Sequence, residues 1–184
     1  MLEVRSLPLE GLLELVPTRF ADERGFFSET YNAQVWRESG LVFDFVQENH
    51  SLSRSPGVLR GLHYQLPPAA QTKVVRVTRG RIFDVAVDIR RGSPTFGKWV
   101  GIQLSAEQWN QLLVPVGFAH GFVTLEPGTE VQYKVTHCYS PADERVIRFD
   151  DPAIGIDWPV DSVEVTLSAK DRSAPLLADA ELFS

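Results

Sequence analysis

Glycine and proline cut this chain into short runs rich in valine, phenylalanine and threonine, and that punctuation constrains the fold more than any other feature. Leu12 to Val16, Gly25 to Thr30, Phe43 to Ser53, Val58 to Gln65, Lys73 to Thr78 and Arg81 to Ile89 all read as strands. So do Trp99 to Leu104, Gln111 to Val114, Phe118 to Leu125 and Glu130 to Tyr139. Arg79-Gly80 reads as a hairpin turn between two of them. Only Ala33 to Ser39 reads as a helix, capped by Asn32 and stopped by Gly40. Ser105 to Gln108 is expected to form a single helical turn. Many short strands with so little helix predict an all-β sandwich or barrel.

At 184 residues the chain is expected to form one domain over 1–184, with its core at about 12–175 and a loosely held tail from Pro175. A net charge of -6 argues against a nucleic-acid or anionic-membrane partner, though local arginines can still hold a small anion. The first residues carry charges and lack the apolar core of a signal peptide, and no apolar stretch reaches membrane-spanning length. With a single cysteine, Cys138, no internal disulfide forms, and a cytoplasmic location is expected.

The chemistry concentrates in Arg60-Gly61-Leu62-His63-Tyr64-Gln65, with Lys73 ten residues beyond the histidine, and in Gly117 to Phe122 around His120. Strand alternation puts Gln47, Asn49 and Ser51 on one face, and likewise His63 with Gln65. Val131, Tyr133, Val135, His137 and Tyr139 form another such set. Arg60 has the wrong parity to join His63 unless Gly61 marks a bulge. The four histidines show no metal-ligand spacing, because the position where a His-x-His pair would put a second imidazole after His63 is Gln65. No metal or cofactor is therefore expected. The set suits removal of a proton beside a carbonyl. His63 titrates near neutrality and is the natural base. Lys73 supplies positive charge to the enolate, and Tyr133 is the candidate donor on the opposite face.

Several motifs carry a resemblance to a known family: Asp22 to Glu29, Gln47 to Ser51, Arg60 to Gln65, Asp84 to Arg90 with Ser93 to Gly97, Gly117 to Phe122, Tyr133-Lys134 with Tyr139, and Leu167 to Asp171. On these the chain resembles the dTDP-4-dehydrorhamnose 3,5-epimerases, sugar-nucleotide enzymes of the cupin superfamily, from about Leu12 to Pro175. The resemblance implies a cupin-type jelly roll. It also implies inversion of carbon 3 and carbon 5 of dTDP-4-dehydro-6-deoxy-D-glucose, giving dTDP-4-dehydro-L-rhamnose. It makes Asp171 the orienting partner of His63 and Tyr133 the opposing acid, with Lys73 near the keto oxygen and His120 beside the sugar. Arg60, Gln47 and Asn49 would hold the nucleotide and its diphosphate, and Tyr139, Glu144 and Lys170 are further contacts. Arg24, Phe27 and Glu29 would reach the site of a neighbouring subunit in a homodimer. Two departures stand out: Cys138-Tyr139 where many members have Tyr-Tyr, and Arg145-Val146-Ile147 where many carry a glycine.

Other readings compete with these. A single-carbon epimerase of a related deoxysugar, a metal-dependent cupin enzyme and a non-catalytic sugar-nucleotide module all fit parts of the pattern. Residue by residue, His63 and His120 are candidates for plain core histidines, and Tyr133 for a packed ring. Asp171 is a candidate helix cap, and Arg24 with Glu29 a surface ion pair.

Overall fold

The computed structural model describes residues 2–160 and 165–183. The strands in chain order are β1 (Leu2–Ser6), β2 (Leu13–Pro17), β3 (Phe20–Asp22), β4 (Gly25–Phe27), β5 (Gln47–Ser53), β6 (Leu59–Gln65) and β7 (Lys73–Arg79). They continue with β8 (Arg81–Asp88), β9 (Trp99–Ser105), β10 (Gln111–Val114), β11 (Phe118–Thr124), β12 (Thr129–Val135) and β13 (Glu144–Val146). The helices are α1 (Ala33–Glu38) and α2 (Ala169–Arg172), with a 3₁₀ turn at Leu177–Asp179.

Two sheets face each other. One is six-stranded in the order β1-β2-β10-β7-β12-β5, and the other five-stranded in the order β13-β6-β11-β8-β9. From β5 to β8, and again from β10 to β13, successive strands fall in alternate sheets. That winding is a cupin-type jelly roll, and it corrects one expectation. Lys73–Arg79 and Arg81–Asp88 are not a hairpin: Gly80, at φ +78°, carries the chain from one sheet to the other. A glycine at positive φ suits a hairpin and a sheet-crossing corner equally, so the dipeptide alone cannot distinguish them.

Alternation divides the core. Val75, Val77, Ile82, Ala86, Phe118, Phe122 and Val131 point between the sheets. Their neighbours Val85, Val87, Ala119 and Val123 point outward from the five-stranded sheet, under Ile147, Ile154, Trp158 and Leu177. The outer face of the other sheet is covered by α1, whose Trp36 packs edge-on against Tyr31 and Phe45. As expected, Asn32 caps α1 by accepting from the amides of Gln34 and Val35.

Ser105 to Gln108 closes as the single helical turn expected, with the Trp109 amide donating to the Ser105 carbonyl at 3.0 Å. Two further expectations change. The strand expected from Phe43 begins only at Gln47, because Phe43 and Phe45 turn aside to pack with Trp36. The tail is tied down. Leu177 and Ala180 are buried, the Leu177 amide donates to Asp151 at 2.6 Å, and Arg145 pairs with Glu181 at 2.7 Å. Among the described residues no helix is long and apolar enough to cross a membrane.

Candidate active site

A cavity of about 730 Å³ opens between the sheets, large enough for a substrate of drug-like size. Each sheet contributes inward-facing positions. From the six-stranded sheet come Gln47, Asn49 and Ser51 on β5, Lys73 on β7 and Tyr133 on β12. Tyr133 lies directly across from Asn49. The five-stranded sheet supplies Arg60 and His63 on β6 and His120 on β11, with His63 and His120 cross-strand partners.

The parity conflict at Arg60 is resolved by a bulge at Gly61. His63 pairs with His120 but Arg60 pairs with Phe122, so β6 holds one more residue than β11 across the same interval. Gly61 has φ +130°, and a Cβ there would lie 2.5 Å from the Cα of Gly121. Only glycine fits, and the extra residue turns Arg60 and His63 into the same cavity.

His63 Nε2 lies 2.6 Å from Asp171 Oδ1. Asp171 is buried on α2, where Ser168 caps the helix by accepting from the Asp171 amide and donates its hydroxyl to Asp171 Oδ2 at 2.8 Å. Burial alone would raise the carboxyl's pKa. The hydrogen bonds from His63 and Ser168, with the His63 charge, outweigh burial and keep it below the ordinary aspartate value. The imidazole moves down as well. Burial dominates, Asp171 opposes it, and the charges of Lys73 and Lys170 add to the lowering. At neutral pH His63 is therefore a neutral ring with Nε2–H on Asp171 and Nδ1 left as a proton acceptor.

Lys73 is almost fully buried, and its ammonium approaches the His63 carbonyl at 3.4 Å. Burial pulls its pKa down to about 8, against the raising effect of Glu144 and Asp84. Tyr133 is shifted up, chiefly by burial, so its phenol keeps its proton throughout the neutral range. A base, a cation and an un-ionised phenol thus face one space. These shifts predict a bell-shaped kcat/KM. Activity should fall as pH drops below the ordinary histidine range and His63 gains a proton, and fall again as pH rises through about 8 and Lys73 loses one. A steady-state profile from pH 5 to 9 that stayed flat above pH 8 would remove the need for a charged Lys73.

At the mouth, Glu144 accepts from Lys170 at 2.6 Å and from the Tyr139 hydroxyl at 2.8 Å. Tyr139 reaches this position by a route that alternation did not foresee, because β12 ends at Val135 and His137, Cys138 and Tyr139 follow outside it. Gln47 accepts from the Tyr139 amide and donates to Asn49. Gln65 is buried and donates to the carbonyl of Ala69 while accepting from the amide of Ser140. Where a metal-binding cupin would carry a second imidazole, Gln65 instead pins a loop. Among the described residues no three His, Cys, Asp or Glu side chains are grouped to hold a metal ion.

Arg24, Phe27 and Glu29 are not in the cavity of their own chain. Arg24 and Phe27 lie in the exposed region of the β3–β4 pair, where Arg24 is bonded to Asp22 rather than to Glu29. Glu29 accepts instead from Asn32. Two residues given no role in the sequence reading belong to the site. One is Ser168; the other is Asp84, whose Oδ1 lies 2.6 Å from His120 Nε2. A lone carboxylate inside the otherwise apolar run Ile82 to Val87 is the available signal.

Residues 6–179 match the family model described as dTDP-4-dehydrorhamnose 3,5-epimerase. The chain is 53% identical over 183 residues to the dTDP-4-dehydrorhamnose 3,5-epimerase of Salmonella typhimurium, covering 99% of each chain. Among solved structures it resembles a dTDP-6-deoxy-D-glucose-3,5-epimerase from Legionella pneumophila in complex with dTDP-4-keto-L-rhamnose. That match has 46% identity and a TM-score of 0.93, over 97% of this chain and 94% of the other. A 3′-monoepimerase from Streptomyces bikiniensis in complex with dTDP-quinovose shares the architecture at 36% identity and a TM-score of 0.88, over 94% and 86%.

Proposed function

This chain belongs to the dTDP-4-dehydrorhamnose 3,5-epimerase family and is an isomerase that inverts two sugar carbons of a dTDP-4-keto-6-deoxysugar; from that premise we propose how its residues divide the work. His63 Nδ1 takes the proton from the carbon beside the ketone, and the electron pair moves onto the ketone oxygen. Asp171 stabilises the resulting imidazolium. The Lys73 ammonium meets the enolate oxygen. Tyr133 lies on the opposite sheet and gives its phenolic proton to the other face of the carbon, inverting it. Exchange with solvent then returns a proton to Tyr133 and removes one from His63. Carbon 3 and carbon 5 both flank carbon 4, so one base and one cation serve both inversions. Arg60, Gln47 and Asn49 suit the nucleotide and its diphosphate, the arginine fork matching phosphate oxygens. Tyr139, Glu144, Lys170 and His120 complete the substrate contacts.

The observation that carries this reading is the His63–Asp171 pair at 2.6 Å in one cavity with Lys73 and Tyr133. Turnover of dTDP-4-dehydro-6-deoxy-D-glucose in heavy water, coupled to a reductase, is expected to place deuterium at carbon 3 and carbon 5. Label confined to carbon 3 would make the chain a single-carbon epimerase like the Streptomyces bikiniensis protein.

We also propose a homodimer in which Arg24, Phe27 and Glu29 reach the neighbouring subunit's cavity. In the isolated chain Phe20, Phe26 and Phe27 are 58%, 52% and 65% exposed. Large apolar side chains clustered on one exposed hairpin are what an interface covers. Sedimentation equilibrium should give twice the chain mass, and a monomer at assay concentration would rule this arrangement out.

A further inference from the structure

Asp84 stands behind the cavity lining, against His120, with no part in the proton transfers just described. It lies mid-strand on β8 with no solvent exposure, between Ile82 and Ala86 of the apolar interior. Its Oδ1 holds His120 Nε2 at 2.6 Å, and its Oδ2 has no hydrogen-bond partner. Burying a carboxylate is costly, and leaving half of its acceptors unused is costlier. Packing gains nothing from it, since an amide or hydroxyl could accept from one imidazole N–H without a buried charge. Such a group points to work at the site.

Its two neighbours indicate what that work is. His120 lines the cavity as the cross-strand partner of His63, and with Nε2 bound to Asp84 the ring offers Nδ1 to a ligand. Lys73 is the second neighbour, within reach of the Asp84 charge. We propose that Asp84 is a positioning residue for the epimerisation: it fixes His120 as the Nε2–H tautomer, presenting Nδ1 as an acceptor for a sugar hydroxyl, and it backs the Lys73 ammonium with negative charge. This rests on the function proposed above.

The charged and titratable groups around Lys73 are Asp84 from β8, Glu144 from β13, Lys170 from α2, His63 from β6 and, in the same cavity, Tyr133 from β12. Asp84 and Glu144 favour the ammonium, whereas burial and Lys170 oppose it. Removing the Asp84 charge therefore lowers the pH at which Lys73 loses its proton.

The test is Asp84→Asn, which keeps the side chain's shape. We expect kcat to fall about 10- to 100-fold with KM within about threefold, because the amide can donate as well as accept and so no longer fixes the Nε2–H tautomer of His120 that orients the bound substrate. The alkaline limb of kcat/KM is expected to move down by about one pH unit. An alkaline limb at its wild-type position with kcat within about threefold would overturn the proposal. Nitrogen-15 spectra of histidine-labelled wild-type protein, with His120 assigned through His120→Gln, decide the tautomer even if the asparagine variant does not fold. A protonated Nε2 and bare Nδ1 support the proposal, and a protonated Nδ1 overturns it. His63→Ala run alongside separates the two levels. If that variant turns over normally the proposed mechanism itself fails, whereas an inactive His63→Ala beside an unaffected Asp84→Asn removes only the role of Asp84.

Discussion

Turnover is expected to drop about a thousandfold or more when His63 becomes alanine, while dTDP still binds within about threefold of wild type. A positioned general base contributes on the order of 10²–10⁴ in rate, and here the same ring serves both inversions. The nucleotide contacts proposed for Arg60, Gln47 and Asn49 leave binding of dTDP independent of the imidazole. Alanine also strips Asp171 of a partner, so His63→Asn is the control. Its amide can still donate to the carboxylate, yet it accepts no proton at neutral pH. Both variants should be inactive in the coupled assay, and calorimetry should show dTDP binding in each. Wild-type turnover in either would take His63 out of the chemistry.

The second large effect concerns Gly61, which makes no polar contact with substrate in this mechanism. Alanine there would place a Cβ 2.5 Å from the Gly121 Cα and 2.8 Å from the His120 carbonyl, both backbone atoms that cannot swing aside. It would also force a side chain into φ +130°. Overpacking and backbone strain together should cost about 3 kcal/mol or more, equivalent to a melting temperature lower by roughly 6–12 °C. Any protein that folds should lose most of its turnover, because the bulge is what turns Arg60 and His63 toward the same space. Differential scanning calorimetry with the coupled assay tests both parts. A variant melting within about 2 °C of wild type, with full activity, would show that the bulge does not need glycine.

Local chemistry made much of this fold legible. Asn32 and Gly40 bracket the one substantial helix because a cap and a left-handed stop act within a single turn. Gln47, Asn49 and Ser51 share the cavity face that alternation assigned them together, and alternation needs no knowledge of the partner strand. Gly61 was flagged by parity alone. The failures share a different cause. Gly80 reads the same in a hairpin as at a sheet-crossing corner. Alternation aligns Tyr139 with Tyr133, but the strand ends four residues before it. The tail reads as loosely held because its anchors, Asp151 and Arg145, are distant in sequence.

By itself the sequence determined which side chains were available for proton chemistry and, within an unbroken strand, which of them share a face, since residue type and the two-residue period of a strand are local properties. Tertiary structure alone decided which of those faces meet. It brought Asp171 to His63 across 108 residues and Asp84 to His120 across 36, and it buried Lys73 deeply enough to bring its pKa to about 8. Pairing, desolvation and mutual charge arise only when distant segments close on one another, and no run of neighbouring residues contains them.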